Sequence, residues 1–476
     1  MAAPPWAAAT ATMRSLIDPK PRVLEALDRL QTRFVDNVGA GTRGVRADVS
    51  LVDSPVRAVK SNTGFDGIDA DLAPLVQRNN GRTIRDGSTV AGEAWGDFRL
   101  GKRIVLGMAP RVWVAAPRNS GSELRAELVT GYARVVLRNL AVDVGRNALT
   151  RGAAPELSPS LSMNARGLDM IRFSTDRPTR LPWVFRYLGK THFAGSLSTL
   201  GDNRDNPGGI LIVWEGSVRP LANLELGVTL MDQQGGEGSP RGAFIERVQE
   251  ALIVSQRVFW MTRFLWTDPG LGDHFVGFEA RLTLPGSGAE AYLELGSTED
   301  SGMFVTHRTS SLWDHAAWLA GLRWRGLGDD GRLDLWTEAA HNGPGPYSHV
   351  AITSGLTLDR RNLGSPLGPS AASFQGGATW NGTLVRLSVS GAWEYYSADQ
   401  YIMSGDTDFG GGVYVLASKH PGETRRRLTG EWVREPTRPG LPTANVRIGF
   451  EQVARFNFIE ASRAHFLIQA GFAWSW

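Results

Sequence analysis

The chain has 476 residues, including 56 Gly, 25 Pro, 19 Phe and 16 Trp and no Cys, a composition too aromatic for a disordered chain and too glycine-rich for a helical one. Lys and Arg number 51 against 48 Asp and Glu, a formal net charge of +3, so no basic patch is available for a nucleic-acid partner. The lack of cysteine excludes disulfides, thiolate catalysis and thiolate metal sites, and it suits an oxidising compartment.

The first thirteen residues, Met1 to Met13, lack the basic region that precedes the apolar core of a signal peptide. Either the signal has been removed or the start is internal. A helix follows: Asp18 is placed to cap it, Pro19 suits its first turn, and Val23, Leu27, Leu30 and Phe34 share one face. Arg22, Glu25, Asp28, Arg29 and Arg33 occupy the other face. A helix of about 15 residues is not stable alone and must pack on something.

From about Thr42 onward the period is two. Leu224, Leu226, Val228 and Leu230 oppose Glu225, Gly227 and Thr229, and Phe278, Ala280, Leu282 and Leu284 oppose Glu279, Arg281 and Thr283. Trp318, Ala320, Leu322 and Trp324 oppose Arg323 and Arg325. Val385, Leu387, Val389, Trp393 and Tyr395 oppose Arg386, Ser388, Ser390 and Glu394, and Val446, Ile448 and Phe450 oppose Arg447, Gly449 and Glu451. Turn signals separate the runs at Gly286-Ser287-Gly288, Asp329-Asp330-Gly331, Asn381-Gly382 and Gly410-Gly411-Gly412. The pattern predicts 16 to 18 strands of about 9 to 12 residues, the length of a tilted strand crossing a bilayer, and an even number near 18.

A soluble sandwich would bury the apolar faces, whereas a membrane barrel turns them to lipid and lines a wet lumen with the charged ones. The final segment, His465 to Trp476, alternates Phe466, Ile468, Ala470, Phe472, Trp474 and Trp476 and ends on an aromatic residue, which resembles an outer-membrane insertion signal. Trp95, Trp113, Trp183, Trp214, Trp324, Trp432 and Trp474 fall near run ends, as interfacial girdles require. The expected fold is therefore all-β, a transmembrane outer-membrane β-barrel of about 18 antiparallel strands with a short N-terminal helical segment. The alternative to a binding role for such charges is that they simply line the barrel by pairing with one another, as Arg386 with Glu394 or Arg447 with Glu451 would.

Motifs of chemistry are weak. Gly326, Gly328 and Gly331 formally match a dinucleotide fingerprint, but strands flank them on both sides, so a hairpin turn is expected. Asp202 to Asn206 lacks the spaced ligands and terminal Glu of a calcium loop and reads as a solvated loop. The eight histidines form no HExxH pair, and no G-x-S-x-G elbow is present. No enzyme activity, cofactor or metal site is expected.

Four segments resemble the Wzi capsule-assembly family, in the order in which that family carries them. Arg151 to Arg166 is similar to its glycine-rich segment running into a Ser/Leu-rich stretch that ends in Asn-Ala, without the tryptophans and one glycine. Gly235-Gly236-Glu237-Gly238 resembles its Gly-Gly-Glu-Gly loop, Glu299-Asp300-Ser301-Gly302 its acidic turn, and Glu338-Ala339-Ala340-His341 its Glu-Ala-His segment. The resemblance implies an 18-stranded outer-membrane barrel over residues 41–476, preceded by a helical periplasmic segment over 1–40 that is shorter than the family's bundle. It implies a lectin that tethers capsular polysaccharide or another surface polysaccharide. Asn164, Arg166, Glu237, Glu299, Asp300, Glu338 and His341 would bind it from loops or strand ends where the lumen opens outward. The expected partners are that polymer and outer-membrane lipid, with a monomer as the default. The alternative is a porin-type diffusion channel, which differs in having an unplugged lumen.

Overall fold

The computed structural model describes residues 43–53, 58–60, 69–71, 75–101, 103–118, 120–248, 272–298, 316–347, 352–404, 413–436 and 441–475. The helix read at Asp18 to Phe34 and the Gly410 to Gly412 turn lie outside them. Eighteen strands form one closed antiparallel ring. They are β1 (Arg43–Val52), β2 (Gly87–Leu100), β3 (Ile104–Ala116), β4 (Glu123–Leu137), β5 (Leu140–Asn147), β6 (Leu168–Thr175), β7 (Lys190–Thr199), β8 (Ile210–Leu221) and β9 (Leu224–Gln234). The ring continues through β10 (Gly272–Leu284), β11 (Ala289–Thr298), β12 (Ala316–Leu327), β13 (Leu333–Asn342), β14 (Ala371–Asn381), β15 (Val385–Tyr396), β16 (Glu423–Arg434), β17 (Thr443–Ala454) and β18 (Ser462–Ser475). Each strand pairs with the next in sequence, and β1 closes the ring by pairing with both β2 and β18: Arg46 lies opposite Glu93 on one side and Ala473 on the other. Closure leaves the barrel without an edge whose amides would go unpaired in lipid.

The alternation read from the sequence sets which way each residue points. Along β17, Ile448 and Phe450 are exposed on the outer wall while Glu451 is buried inside. Along β15, Leu387, Val389 and Trp393 are exposed and Glu394 is buried. Val49, Val112, Ile171, Leu197 and Phe472 continue the same outward face around the ring. A soluble protein does not leave an apolar surface of that extent bare, so the outer wall is the lipid-facing belt of a membrane barrel. No helix of the described residues is long and apolar enough to span a bilayer; the strands do it. Pro110, which cannot donate to a ladder, enters β3 where its register against β4 shifts.

One expectation fails, and the pairings of the alternative reading do not form. Trp113 is not in the girdle: it points into the barrel beside Ala91 and Ala115 and is buried. Arg386 does not pair with Glu394, nor Arg447 with Glu451, because residues eight and four apart on a strand are separated by roughly 27 and 13 Å. Their carboxylates find partners on other elements. Glu394 accepts from Arg78 and Arg427 at 2.8 and 2.9 Å, and Glu451 from Arg425 at 3.1 Å.

Candidate functional site

The two rims differ. Residues 101–103, 138–139, 222–223, 285–288, 328–332 and 382–384 make short turns on the rim that also carries the start of β1 and the end of β18. The described residues of the long segments, among them 75–86, 148–167, 200–209, 235–248, 343–347 and 352–370, connect strand ends on the other rim. In outer-membrane barrels the short turns are periplasmic and the long loops extracellular.

Four of the long segments turn back into the barrel. In residues 148–167 the tip is held at mid-height by Glu294 of β11. Ser158 Oγ donates to Glu294 Oε2 at 2.7 Å, and the Ala153 and Ala154 amides donate to Oε1 at 2.9 and 3.5 Å. Gly152, at φ +83°, lies so close that a Cβ there would meet Glu294 Oε1 at 2.0 Å. Arg151 reaches Glu215 at 3.3 Å and Glu279 at 3.1 Å. The sequence pattern of small residues and serines in this loop is what lets a chain run through a lumen already crowded by wall side chains.

Residues 75–86 form a second inward segment, anchored by Leu75 and Val76 against Val52 and Leu467 and by Arg82 forking onto Glu93 at 2.8 and 2.7 Å. Burial works against the Arg82 charge, and the ion pair with Glu93 more than offsets it, so its pKa is raised. Residues 343–347 and 352–370 pack on the first through Tyr347, which stacks on Phe275 at 5.9 Å, donates to the Pro159 carbonyl at 2.8 Å and accepts from the Ser365 amide at 3.2 Å. Burial pushes the Tyr347 phenol upward. Leu161, Leu356, Leu358 and Leu363 join the same apolar cluster as Leu211 and Phe275 of the wall. Among the described residues, side chains of these loops and of the wall thus pack together inside the barrel near the long-loop rim.

The fourth segment overturns an expectation. Asp202 to Asn206 is not a solvated loop throughout: Arg204 is buried, donating to Ser354 Oγ at 3.0 Å, the Thr357 carbonyl at 2.8 Å and the Gly355 carbonyl at 2.9 Å. Burial pulls its guanidinium down to about 10, with Asp273 and Asp205 acting the other way. Asn206 binds the Glu237 carbonyl at 2.9 Å and the Ser354 amide at 3.0 Å, so the loops 200–209, 235–239 and 343–370 are fastened together.

A row of alternating charge runs from the long-loop ends of β5 and β6 onto the neighbouring loops. Arg146 forks onto Asp169 at 2.8 and 2.7 Å, Arg166 contacts Asp169 at 3.3 Å and Asp359 at 2.5 Å, and Arg360 stands 3.9 Å from Asp205. Asp169 and Asp359 remain 42% and 37% exposed. Beside them is a small recess lined by Asn80, Thr150, Ser162 and Arg166. This rim offers carboxylates that accept from hydroxyls and guanidinium groups that donate to carboxylates, side by side.

The seven residues singled out in the sequence go to different places. Arg166 is in the charged row, and Glu237 is exposed on the loop fastened to it. Asn164 is buried beneath, donating to the Asn362 carbonyl at 3.1 Å. Glu338 lies inside the wall, bound by Tyr292 at 2.6 Å and Gln375 at 2.8 Å. His341 faces outward, its ring 6.0 Å from that of Trp318 across β12 and β13. Glu299 and Asp300 lie outside the described residues. Asp169, Asp359 and Arg360 were not anticipated. The pair at Asp359 and Arg360 has φ of 49° and 62°, forming the two-residue turn of a hairpin between Thr357–Leu358 and Arg361–Asn362. Nothing in a charged Asp-Arg-Arg run announces such a turn, which ordinarily takes Asn-Gly.

Known proteins place the chain. The model of a family described as capsule assembly protein Wzi matches residues 61–382. No curated protein matches in sequence. Among solved structures, the chain is similar to Wzi, an outer-membrane protein involved in group 1 capsule assembly in Escherichia coli and a carbohydrate-binding β-barrel, with TM-score 0.63 and 14% identity over 94% of this chain and 87% of that one. OccD3 (OpdP) of Pseudomonas aeruginosa follows at TM-score 0.47 and 11% identity, covering 92% and 91% of the two chains. OprD of the same organism has TM-score 0.46 and 8% identity, covering 92% and 93%.

Proposed function

Because the chain belongs to the capsule assembly protein Wzi family, we propose that it is an outer-membrane lectin that holds capsular or another surface polysaccharide at the cell surface, without catalysing a reaction on it. The observation that carries this reading is the combination of loop residues of 75–86, 148–167, 343–347 and 352–370 packed inside the barrel with a charged, hydroxyl-accepting row where those loops meet the ends of β5 and β6. A barrel with loops packed inside it is ill suited to a pore, and its rigid upper surface is a platform. Arg146 and Arg166 suit sugar carboxylates, while Asp169, Asp359 and Glu237 suit sugar hydroxyls. Each contact is exposed and modest. Affinity then arises because one polymer makes many of them at once, each added contact being intramolecular once the first has formed. Glu338 and Asn164 support the platform from below, and a monomer suffices for it.

Deleting the gene in its host, with export intact, and measuring polysaccharide in the cell-bound and released fractions tests the reading. Polymer shed into the medium at unchanged total is expected. An unchanged partition sinks tethering while leaving the barrel untouched.

A further inference from the structure

The periplasmic rim carries one segment unlike its other turns. Between β6 and β7, residues 176–189 include a two-residue strand, Thr179–Arg180, paired with the start of β7, and a 3-10 helix, Trp183–Leu188. The helix buries none of its six residues WVFRYL: Trp183 is 86% and Tyr187 70% exposed, and Val184 and Phe185 are also exposed. Water alone is a poor solvent for such a sequence. The segment is nevertheless built in place. Asn139, in the turn after β4, receives the Arg177 amide at 2.9 Å and donates to the Arg177 carbonyl at 3.1 Å. At the far end Gly189, φ +74°, bridges Arg219 of β8 so closely that a Cβ would meet the Arg219 carbonyl oxygen at 1.8 Å. Two anchors hold the apolar helix out from the rim.

Its surroundings name the occupant. Leu137, Leu140, Phe173, Phe193 and Leu221, at the periplasmic ends of β4 to β8, are exposed on the lipid-facing wall, so the helix continues an apolar surface already committed to lipid. From Arg177 to Leu200 the sequence has no carboxylate but carries Arg177, Arg180, Arg186 and Lys190. Arg177 is 3.7 Å from Asp176, which Arg134 also engages at 3.2 Å, and Arg186 sits over the Tyr187 ring at 5.0 Å. Aromatic rings beside guanidinium groups in a stretch with one carboxylate, Asp176, at its edge and at the end of an apolar belt match the boundary between acyl chains and anionic headgroups.

We propose that residues 177–190 are an anionic-phospholipid binding site, with Trp183, Phe185 and Tyr187 seated at the acyl boundary of the inner leaflet and Arg177, Arg180 and Arg186 on headgroup phosphates. The site lies on the rim opposite the polysaccharide platform and does not depend on it.

The test uses the full chain in nanodiscs of phosphatidylethanolamine, with and without phosphatidylglycerol, with bromine on the acyl chains of either lipid in turn. The emission lost in Trp183→Phe isolates the Trp183 signal from the other tryptophans, and heat-modifiable migration on gels verifies that each variant is folded. Brominated phosphatidylglycerol is expected to remove most of the Trp183 signal, and brominated phosphatidylethanolamine much less. Combining Arg177→Gln, Arg180→Gln and Arg186→Gln should lower the preference for phosphatidylglycerol by about fivefold per charge removed, since one basic residue at an anionic surface is worth about 1 kcal/mol. Red-shifted Trp183 emission that neither lipid quenches overturns the proposal and leaves the helix as a surface for a periplasmic protein. Equal quenching by both lipids, unchanged in the triple variant, also overturns it.

Discussion

Ser158 donates its hydroxyl hydrogen to Glu294 at 2.7 Å, joining the tip of a loop that begins outside the barrel to the wall at mid-height. With the Ala153 amide at 2.9 Å on the other oxygen, Glu294 is the acceptor around which the tip is folded. Removing it leaves buried donors without partners, a cost of about 1 to 3 kcal/mol per group. Glu294→Leu should therefore loosen residues 148–167 without unfolding the barrel, whose ladder is untouched. Single-channel recording in planar bilayers checks this: near-zero conductance for the native chain and frequent openings for the variant. Gly152→Ala, which drives a methyl into the same carboxylate, should act alike.

Arg166 is the one residue chosen from the sequence that stands in the exposed charged row. Its guanidinium already shares Asp169 and Asp359, so Arg166→Ala costs one contact among many and frees two carboxylates that still accept hydroxyls. Binding of the host polysaccharide, measured by glycan pull-down or calorimetry, should weaken by a factor of about 2 to 5, the worth of one exposed ion pair. Adding Asp359→Ala and Arg146→Ala should multiply the loss. Abolition by Arg166→Ala alone would contradict distributed binding.

The ring was legible because strand periodicity reports directly on which face meets lipid. Ile448 against Arg447 and Leu387 against Arg386 carry that signal one residue at a time. The plug was less legible, since the inward course of Gly152 to Ser160 depends on Glu294, a residue more than a hundred positions away. The same distance hid Asp359, which joins Arg166 only after two loops have packed. Asn164 and Glu338 carry the right polarity for sugar binding, and it is burial, invisible in sequence, that separates them from Arg166. Trp113 misled for a related reason: position near a strand end fixes depth in the bilayer but not the side of the wall.

Asp359 and Arg360 both adopt positive φ, at 49° and 62°, a conformation that side chains with a Cβ take at a cost of about 1 kcal/mol each. Strain retained at an exposed turn that reaches both Arg166 and Asp205 is strain retained for the row. Arg360→Gly should raise stability by about 1 kcal/mol while weakening polysaccharide binding. Urea unfolding in vesicles reads the first and glycan binding the second. A variant that gains stability with full binding would detach this turn from the site.

Neighbouring residues of β17 provide the sharpest contrast between the two sides of the wall. Ile448 is 56% exposed on the outer face at mid-strand, where lipid is its solvent. Ile448→Arg should destabilise the folded barrel by about 2 to 4 kcal/mol, the penalty for a guanidinium near the bilayer midplane, and slow its insertion into vesicles. Arg447, one residue earlier, points into the lumen opposite Glu431 and Gln469 and forms no ion pair within 4.0 Å among the described residues. Arg447→Met removes a charge that burial already disfavours and keeps the side-chain length, so stability should change by less than about 1 kcal/mol. Urea unfolding in phospholipid vesicles measures both. Were the outer face buried in a soluble assembly instead, the two substitutions would respond to removal of lipid alike; in a membrane barrel only the effect of Ile448→Arg depends on bilayer thickness, growing as the introduced guanidinium is carried farther from either interface.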